Sequence, residues 1–159
     1  MDLAHLKYNQ VKEGQIKYYR RKLLNKPDQM EIRIGIHPEA LRIIEFYKSR
    51  RDKISIDNGD YIFPVLNRHI HESEQQKHDR IKKVLRTLNK ELKVYAGKAG
   101  LTDHLTSKVI RHTALTELAR KGVTIDVIQR IGGHKDVQTT RGYMKNADDE
   151  RTNMAISQL

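Results

Sequence analysis

Apolar residues in the first part of the chain alternate with polar ones, which is the period-two pattern of half-buried strands. The residues that show it are Val11, Ile16, Tyr18, Met30, Ile32 and Ile34. The segments Lys12–Gly14 and Leu23–Asp28 separate them and contain residues that adopt turn dihedrals at low cost. The pattern predicts a three-stranded antiparallel meander, preceded by a short helix over residues 1–8.

Beyond this region, apolar residues recur every three or four positions, as in amphipathic helices. Between the first and second of these helices, the sequence predicts a turn at Asp57–Asp60 and a short buried strand or extended piece at Tyr61–Pro64. Gly97 and Gly100 are expected to cap the C-terminal end of the long second helix. The length favours a single domain over residues 1–159. We predict an α+β domain, mostly helical, with a small three-stranded antiparallel sheet near the N-terminus. Its predicted helices are residues 37–53, 72–96, 106–121, 125–131, 137–144 and 147–159.

The composition limits the cellular compartment to be expected and the kinds of reactive or metal site that the chain can form. The chain has no cysteine, which excludes disulfides, Cys-ligated zinc and a cysteine nucleophile, and favours the reducing cytoplasm. No apolar run approaches the roughly 20 residues of a membrane span, and the N-terminus lacks the residue order of a signal peptide. His69, His71 and His78 form a loose cluster, but their spacing fits no standard ligand pattern, so we expect no bound metal.

The charge of the chain favours a polyanionic partner. The formal net charge is +11 and the pI is near 9.8, and counterion release from neutralised phosphates drives nucleic-acid binding. Residues 1–100 carry 22 Lys and Arg against 13 Asp and Glu, whereas residues 101–159 carry 9 against 7. The predicted hairpin region, Lys7–Lys26, carries seven basic residues against Glu13 alone. Its predicted DNA-binding residues are Lys7, Arg20, Arg21 and Lys26.

A candidate anion site lies on the helix that follows Thr106. Lys108 and Arg111 are three residues apart, so both side chains project from one helix face and can converge on a single anion. Such a basic pair is common on solvated helix faces and indicates little when it stands alone. The motifs that follow it along the chain make this pair more specific.

A run of short motifs with defined spacings extends from Lys108 to Tyr143. In residue types, spacings and intervening helix pattern, the run resembles the C-terminal signature of tyrosine recombinases, the phage-integrase type of enzyme. The resemblance continues at Asp2–Lys7, which looks like the stretch that follows the family's first active-site arginine. That arginine would lie two residues before Met1, after the family's separate helical DNA-binding domain. The motifs are Lys108, Arg111-His112-Thr113, Gly122-Val123, Ile128-Gln129, Gly133-His134, Thr139-Thr140 and Tyr143.

The resemblance implies a reaction and a role for each matching residue. In this family a tyrosine attacks a DNA phosphodiester and forms a 3′-phosphotyrosyl link, which a free 5′-hydroxyl later reverses. Carried over to this sequence, Tyr143 is the nucleophile. Arg111, Lys108 and His134 would bind the non-bridging phosphate oxygens, where negative charge grows in the transition state. The resemblance implies neither a metal ion nor a nucleotide cofactor.

Other positions carry over less directly. The family's active-site lysine sits on a hairpin and protonates the leaving 5′-oxygen; Lys22 matches it best and Lys26 next, although Leu23 stands where threonine is usual. For His112 we favour a structural or hydrogen-bonding role, in which it orients the neighbouring site residues and does not react, over direct contact with the phosphate. Gly132 replaces a bulky apolar residue common before the Gly-His pair. Two adjacent glycines weaken a helical turn, which predicts a less rigidly held histidine after them.

Charge and resemblance together indicate double-stranded DNA as the partner. The resemblance adds other recombinase subunits on that DNA, in a tetrameric synapse, and a mobile element in a bacterial cytoplasm as the source. The segment Ala147–Leu159 carries an apolar stripe and is expected to be a mobile or partner-docking helix, since such tails often dock on a neighbouring subunit in the family.

Two alternative functions remain open. One is a catalytically inert basic DNA-binding module, whose short C-terminal helices would act as a helix-turn-helix reader. A covalent DNA adduct at Tyr143 would distinguish the recombinase from this module. The other is an enzyme like the type IB topoisomerases, which share the phosphotyrosine chemistry but relax supercoils. The spacing from the Gly-His pair to Tyr143 favours the recombinase.

Overall fold

The computed structural model describes residues 2–27, 29, 31–50, 59–102 and 105–157. Met30 of the predicted strand pattern and Asp57-Asn58 of a predicted turn lie outside the described residues. The chain forms two compact units, Met1–Thr87 and Leu88–Leu159. A small antiparallel sheet lies in the first unit, and all elements of the described second unit are helices. The predicted α+β class is confirmed.

The sheet of the first unit is a meander with the strand order β1 (Val11–Lys12), β2 (Gln15–Tyr19) and β3 (Glu31–Gly35). Glu13 and Gly14 join β1 to β2 with φ angles of 52° and 70°. Positive φ at both central residues is the geometry of the tight hairpin turns whose twist matches that of the flanking strands. The predicted first turn is confirmed.

β2 and β3 pair in antiparallel register, with Ile16 opposite Ile34. Side chains two residues apart share one face of a sheet, so the alternating residues that predicted the strands lie together. Ahead of the sheet, the predicted single short helix is wrong. The structure instead has two 3-10 helices, Asp2–His5 and Tyr8–Gln10.

An isolated β-bridge explains why the chain forms two short helices here instead of one. Lys7 pairs with Tyr61 in antiparallel fashion, and the Ile62 N–H donates to the Leu6 carbonyl at 2.8 Å. Residues that pair in extended conformation cannot at the same time continue a helix. Ile62 has no exposed surface. The sequence predicts either a short strand or an extended piece at Tyr61–Pro64, and the structure has the buried extended piece.

The first long helix, α1 (Pro38–Ser49), begins where the sequence predicts. The His37 imidazole accepts a hydrogen bond from the Glu39 N–H at 3.3 Å, and the proline at the first helical position has no N–H to satisfy. Ile44 on this helix is buried in one cluster with Ile62. This cluster forms part of the core of the first unit.

The boundary between the units falls within α2 (Glu74–Lys98). After the helix, Gly100 has a φ of +72°, and the Leu101 N–H donates to the Ala96 carbonyl at 3.0 Å. This is the usual left-handed termination of a helix. The expectation that Gly97 also caps α2 is wrong, because Gly97 is itself a helical residue in the last turn.

The next two helices are α3 (Ser107–Arg120) and α4 (Ile125–Gly132), which confirms both predictions. The Thr106 hydroxyl caps α3 by accepting from the Val109 N–H at 3.2 Å. Gly133 ends α4 with a φ of +57°, a conformation that glycine adopts without steric cost. The first cap fixes the start of the helix that carries Lys108 and Arg111, and Gly133 directly precedes His134.

The last helix, α5 (Val137–Ile156), is continuous. The predicted break between Met144 and Ala147 is wrong because no glycine or proline stands between them. Ala147 has no exposed surface and continues the apolar face that contains Tyr143, one turn earlier. Docking of residues 147–159 on another subunit stays a prediction, and its last two residues lie outside the described part of the chain.

α3, α4 and α5 enclose the core of the second unit. Two of its members, Ala119 on α3 and Ala147 on α5, have no exposed surface. Side chains this small allow the two helices to approach closely, and this contact brings residues of α3 and α5 together at the site described below. In the described ranges, no helix is both long and apolar enough to cross a membrane. The buried core residues are Leu115, Ala119, Ile128, Tyr143 and Ala147.

Candidate active site

Tyr143 lies on the inner face of α5, with its ring packed in the core and only 6% of its surface exposed. Its hydroxyl forms a hydrogen bond with His112 Nδ1 at 2.8 Å. His112 is exposed and lies on α3, three residues before the core residue Leu115. The packing of α3 against α5 therefore joins a tyrosine hydroxyl to an imidazole 31 positions away in the sequence.

His134 packs on the same tyrosine. Its ring is nearly parallel to that of Tyr143, with planes 9° apart and centroids separated by 5.9 Å. His134 Nδ1 lies 3.0 Å from the hydroxyl of Thr140, which is fully buried. A Cβ on Gly132 would lie 2.9 Å from His134 Cε1. The sequence predicts looser positioning from the paired glycines, whereas these contacts hold the ring between three neighbours.

Arg111 connects α3 to the end of α4. Its guanidinium donates from Nη2 to the carbonyl of Gly132, the last residue of α4. An arginine side chain has five N–H donors in a planar fork, and this bond uses one nitrogen, so the group keeps the capacity to bind an anion. Arg111 thus binds the Gly132 carbonyl, the His134 ring occupies the space where a Cβ of residue 132 would lie, and His134 in turn stacks on Tyr143.

Two residues outside the predicted set fix the loop between α4 and α5. Gln129 donates from Nε2 to the carbonyls of His134 and Lys135, at 3.1 and 3.3 Å. The Asp136 carboxylate accepts from the Gln138 N–H at 2.8 Å and caps α5. The motif contained the signal for Gln129, and the preference of helix starts for Asp could have found the cap.

Lys108 lies on α3 one turn before His112. These two residues line an open groove on the surface of the second unit, together with Arg120. The Asn89 side chain accepts from the Ser107 N–H at 2.9 Å and so holds the first turn of α3. Lys108 and the His112 imidazole are one helical turn apart in this groove, whereas Arg120 lies at the other end of α3 and pairs with Glu117.

The hairpin lysine candidates belong to the unit Met1–Thr87. Lys22 is exposed and lies in a 3-10 helix, Arg21–Leu23, between β2 and β3. Asn25 follows with a φ of 63°, so the chain turns here through a left-handed residue. Lys26 is exposed in the same connection. The catalytic roles of both lysines stay predictions.

Carboxylates hold the base of this hairpin loop. Asp2 accepts from the Arg21 backbone N–H at 3.0 Å, and its other oxygen lies 3.7 Å from Arg20 Nε. The Arg21 guanidinium pairs with Glu74. Two of the predicted DNA-binding residues thus bind acidic groups of their own unit. Lys7, a third, lies 5.4 Å from the centroid of a tyrosine ring.

His5 lies beside this ion-pair cluster. Burial first, and then the charge of Arg21, lower the pKa of His5 from 6.5 to about 4. Between these two values the unfolded chain binds a proton that the folded chain does not, so the free energy of unfolding falls as the pH drops through this window. We expect a loss of about 1 kcal/mol, well below the full linkage value, because solvent screens a half-exposed imidazole.

Urea unfolding at neutral pH and near pH 4 measures this loss. The His5→Gln variant should show less acid destabilisation than the wild type, since it cannot take up the proton. His69→Gln is the matched control, because His69 is an exposed histidine of the same unit. An equal pH dependence in wild type and His5→Gln would contradict the prediction.

Gly132→Ala tests the steric role of this glycine. The new Cβ would lie 2.9 Å from His134 Cε1, so the ring must move. A displacement of about 1 Å at a reacting centre can cost on the order of 10²-fold in rate, and we expect a loss of that order in the reaction proposed below. Gly97→Ala is the control, since a Cβ there meets nothing within 4 Å. Equal rates in the two variants would show that the ring tolerates the displacement.

The three histidines that form a loose cluster in the sequence make other contacts. His71 Nδ1 accepts from the Asn67 N–H at 2.8 Å, and His78 Nδ1 lies 3.6 Å from Asp79. His69 lies within hydrogen-bonding distance, 3.4 Å, of its neighbouring arginine. In the part of the chain that the structure describes, no group of His, Asp and Glu side chains is arranged to hold a metal ion.

Comparison with known proteins identifies the family of the chain. The profile of the phage integrase family matches residues 2–150, and the chain belongs to that family. A tyrosine recombinase of Thermosipho africanus (strain TCF52B) is 30% identical over 126 residues, which covers 74% of this chain and 42% of that protein. Tyrosine recombinase XerD of Vibrio vulnificus (strain YJ016) is 43% identical over 53 residues, covering 33% of this chain and 17% of that protein.

Comparison of the fold with a solved structure also indicates a tyrosine recombinase. The crystal structure of XerA recombinase matches with a TM-score of 0.64 and 25% identity, over 96% of this chain and 50% of that one. The resemblance to tyrosine recombinases is therefore confirmed. The chain spans half or less of the length of these relatives.

Proposed function

We propose that this chain is the catalytic part of a site-specific DNA recombinase that cleaves and rejoins DNA through a 3′-phosphotyrosyl intermediate. One observation carries the proposal. The Tyr143 hydroxyl lies in one connected cluster with two imidazoles, and the cluster reaches the Arg111 guanidinium through Gly132. A tyrosine in contact with groups that bind anions and transfer protons is suited to attack on a phosphodiester.

The physical requirement is neutralisation of charge. The oxygens of a DNA phosphodiester are anionic and repel a nucleophile, so a site must bind them before attack and bind them more strongly in the transition state. Arg111 and Lys108 supply cationic donors for these oxygens, and His134 supplies a further N–H. These fixed side chains would do electrostatically what metal ions do in other phosphoryl-transfer sites.

The leaving group needs an acid. When Tyr143 attacks phosphorus, the bond to the 5′-oxygen breaks and that oxygen must gain a proton. We assign this step to Lys22, with Lys26 as the alternative, because both are exposed on the basic hairpin loop. A positioned acid contributes about 10²- to 10⁴-fold. The phosphotyrosyl link conserves the energy of the broken bond, so rejoining needs no nucleotide cofactor.

Partners follow from the same reaction. Double-stranded DNA is the substrate, and the basic residues Lys7–Lys26 would contact its backbone. Recombination joins two DNA duplexes, so we further propose that four subunits assemble on DNA. A mobile element in a bacterial cytoplasm would be the source of the gene.

Covalent trapping on DNA tests this function. The whole natural protein is incubated with a duplex library of randomised sequence, nicked so that the leaving strand diffuses away, with all metal chelated. Denaturant-resistant adducts are recovered, their DNA is sequenced and the linked peptide is identified. We expect a single class of DNA sites joined by a 3′-phosphate to Tyr143.

Other results would favour the alternatives. Salt-sensitive DNA binding without any adduct would indicate an inert binding module, and an adduct that needs magnesium would overturn the mechanism. Relaxation of supercoiled DNA carrying the selected site, without strand exchange between two copies of it, would indicate a topoisomerase-like enzyme.

A further inference from the structure

We propose that His112 is the group that takes the proton from Tyr143 when the tyrosine attacks DNA. This inference rests on the proposed function and adds a catalytic residue to it. The sequence favours an orienting role for His112, with phosphate contact as the alternative. The structure places its Nδ1 2.8 Å from the Tyr143 hydroxyl, which is the reacting atom.

The reaction requires such a group. A phenol ordinarily keeps its proton up to about pH 10, so at neutral pH nearly all of it is the weaker, protonated nucleophile. A base in hydrogen-bonding contact can remove the proton as the oxygen attacks, and this contributes about 10²- to 10⁴-fold. The contact distance of 2.8 Å falls within the range of 2.6–3.2 Å that proton transfer needs.

The chemistry of His112 suits the role. A neutral imidazole carries a proton on one ring nitrogen and a lone pair on the other. His112 is exposed, so Nε2 can hold its proton towards solvent while Nδ1 accepts from the phenol.

Neighbouring groups are less suitable. His134 is stacked on the Tyr143 ring with planes 9° apart, so its ring lies over the phenol face, and its Nδ1 is already 3.0 Å from the Thr140 hydroxyl. The protonated amine of Lys108 and the guanidinium of Arg111 have no lone pair with which to accept a proton. Of these residues, His112 alone combines a lone pair with direct contact to the hydroxyl.

The proposed step is balanced in protons and electrons. The Tyr143 O–H bond breaks, His112 Nδ1 gains the proton, and the phenolic oxygen forms a bond to phosphorus. The bond from phosphorus to the 5′-oxygen breaks with its electron pair, and that oxygen takes a proton from the acid assigned to Lys22. On rejoining, the 5′-hydroxyl attacks phosphorus and gives its proton back to the group assigned to Lys22. The bond from phosphorus to the phenolic oxygen breaks with its electron pair, and that oxygen takes a proton from the imidazolium of His112.

The local fold explains why these two residues meet. His112, Leu115 and Ala119 follow one another at intervals of three and four on α3, and Tyr143 and Ala147 do the same on α5. The two small alanines are fully buried and allow the helices to approach. The same contact that forms the core therefore sets the distance from the imidazole to the phenol.

Single-turnover adduct formation on the trapped DNA site tests the role. His112→Asn keeps a polar atom close to the position of Nδ1 and can hydrogen-bond to the phenol, but it cannot take up its proton. We expect the rate to fall about 10²- to 10⁴-fold, with DNA affinity and melting temperature close to those of the wild type. His69→Asn, at an exposed histidine of the first unit, is the matched control and should react at the wild-type rate.

Rescue separates proton transfer from a merely structural role. In His112→Gly, added imidazole can occupy the exposed position and should restore a substantial part of the rate, whereas an added neutral amide of similar size should not. The inference is overturned if His112→Asn reacts within about threefold of the wild type. It is also overturned if a folded His112→Gly protein gains nothing from imidazole.

These results are distinguishable from failure of the proposed function. If the wild type forms no adduct on any DNA, the function itself fails and His112 has no such role. If the wild type forms the adduct and His112→Asn is equally fast or faster, the function stands and the contact merely holds the tyrosine in the DNA-free protein.

Discussion

Tyr143→Phe is expected to abolish the covalent adduct while leaving the fold and DNA binding intact. The substitution removes the only atom that can form the bond to phosphorus, and loss of a nucleophile costs on the order of 10⁴-fold or more. The phenyl ring keeps the packing of Tyr143 against its core neighbours. The lost hydrogen bond to His112 should cost about 1 kcal/mol of stability.

The adduct is measured on a denaturing gel, with DNA affinity and the melting temperature determined on the same preparation. Tyr95→Phe is the matched control, because Tyr95 lies in the same unit and is 62% exposed. It should form adduct at the wild-type rate. An adduct that persists in Tyr143→Phe would mean that another residue attacks the phosphate, and the proposed function would lose its central residue.

Local patterns in the sequence predicted most of the fold. Alternation and the turn at Glu13-Gly14 define the sheet, and the apolar spacing and caps define α3 and α4, because these features depend on residues near one another in the chain. The prediction of two helices in place of α5 failed for a related reason. Charged residues beyond Met144 resemble a loop locally, and only the tertiary contact of Ala147 shows that the buried face continues.

For the candidate site, the sequence predicted which residues belong together but not how they contact one another. The motif spacing identified Arg111, His134 and Tyr143 as a set, because a family resemblance carries information about distant contacts that local patterns lack. The motif spacing could not predict the particular contacts between these side chains. Nothing in the sequence indicates that the His112 ring meets the tyrosine hydroxyl, or that Gly132 provides space for an imidazole, since both depend on how helices pack.

Arg111→Ala is expected to lower the rate of adduct formation by about 10²- to 10³-fold, the usual cost of removing one preorganised donor from a developing oxyanion. The substitution should also lower the stability of the fold. The Arg111 guanidinium donates to the carbonyl of the buried Gly132, and an unsatisfied buried acceptor costs about 1–3 kcal/mol. The variant should therefore melt at a lower temperature as well as react slowly.

Arg111→Lys separates the two effects. Lysine keeps the positive charge but lacks the planar fork that can bind the Gly132 carbonyl and a phosphate oxygen together. We expect it to recover part of the rate and to remain roughly 10-fold or more below the wild type, since one donor geometry is still lost. Arg130→Ala, at an exposed arginine of α4, is the control and should change neither the rate nor the melting temperature appreciably. If Arg111→Ala and Arg130→Ala slow the reaction equally, general charge and not a bound phosphate explains the loss, and Arg111 is not a catalytic residue.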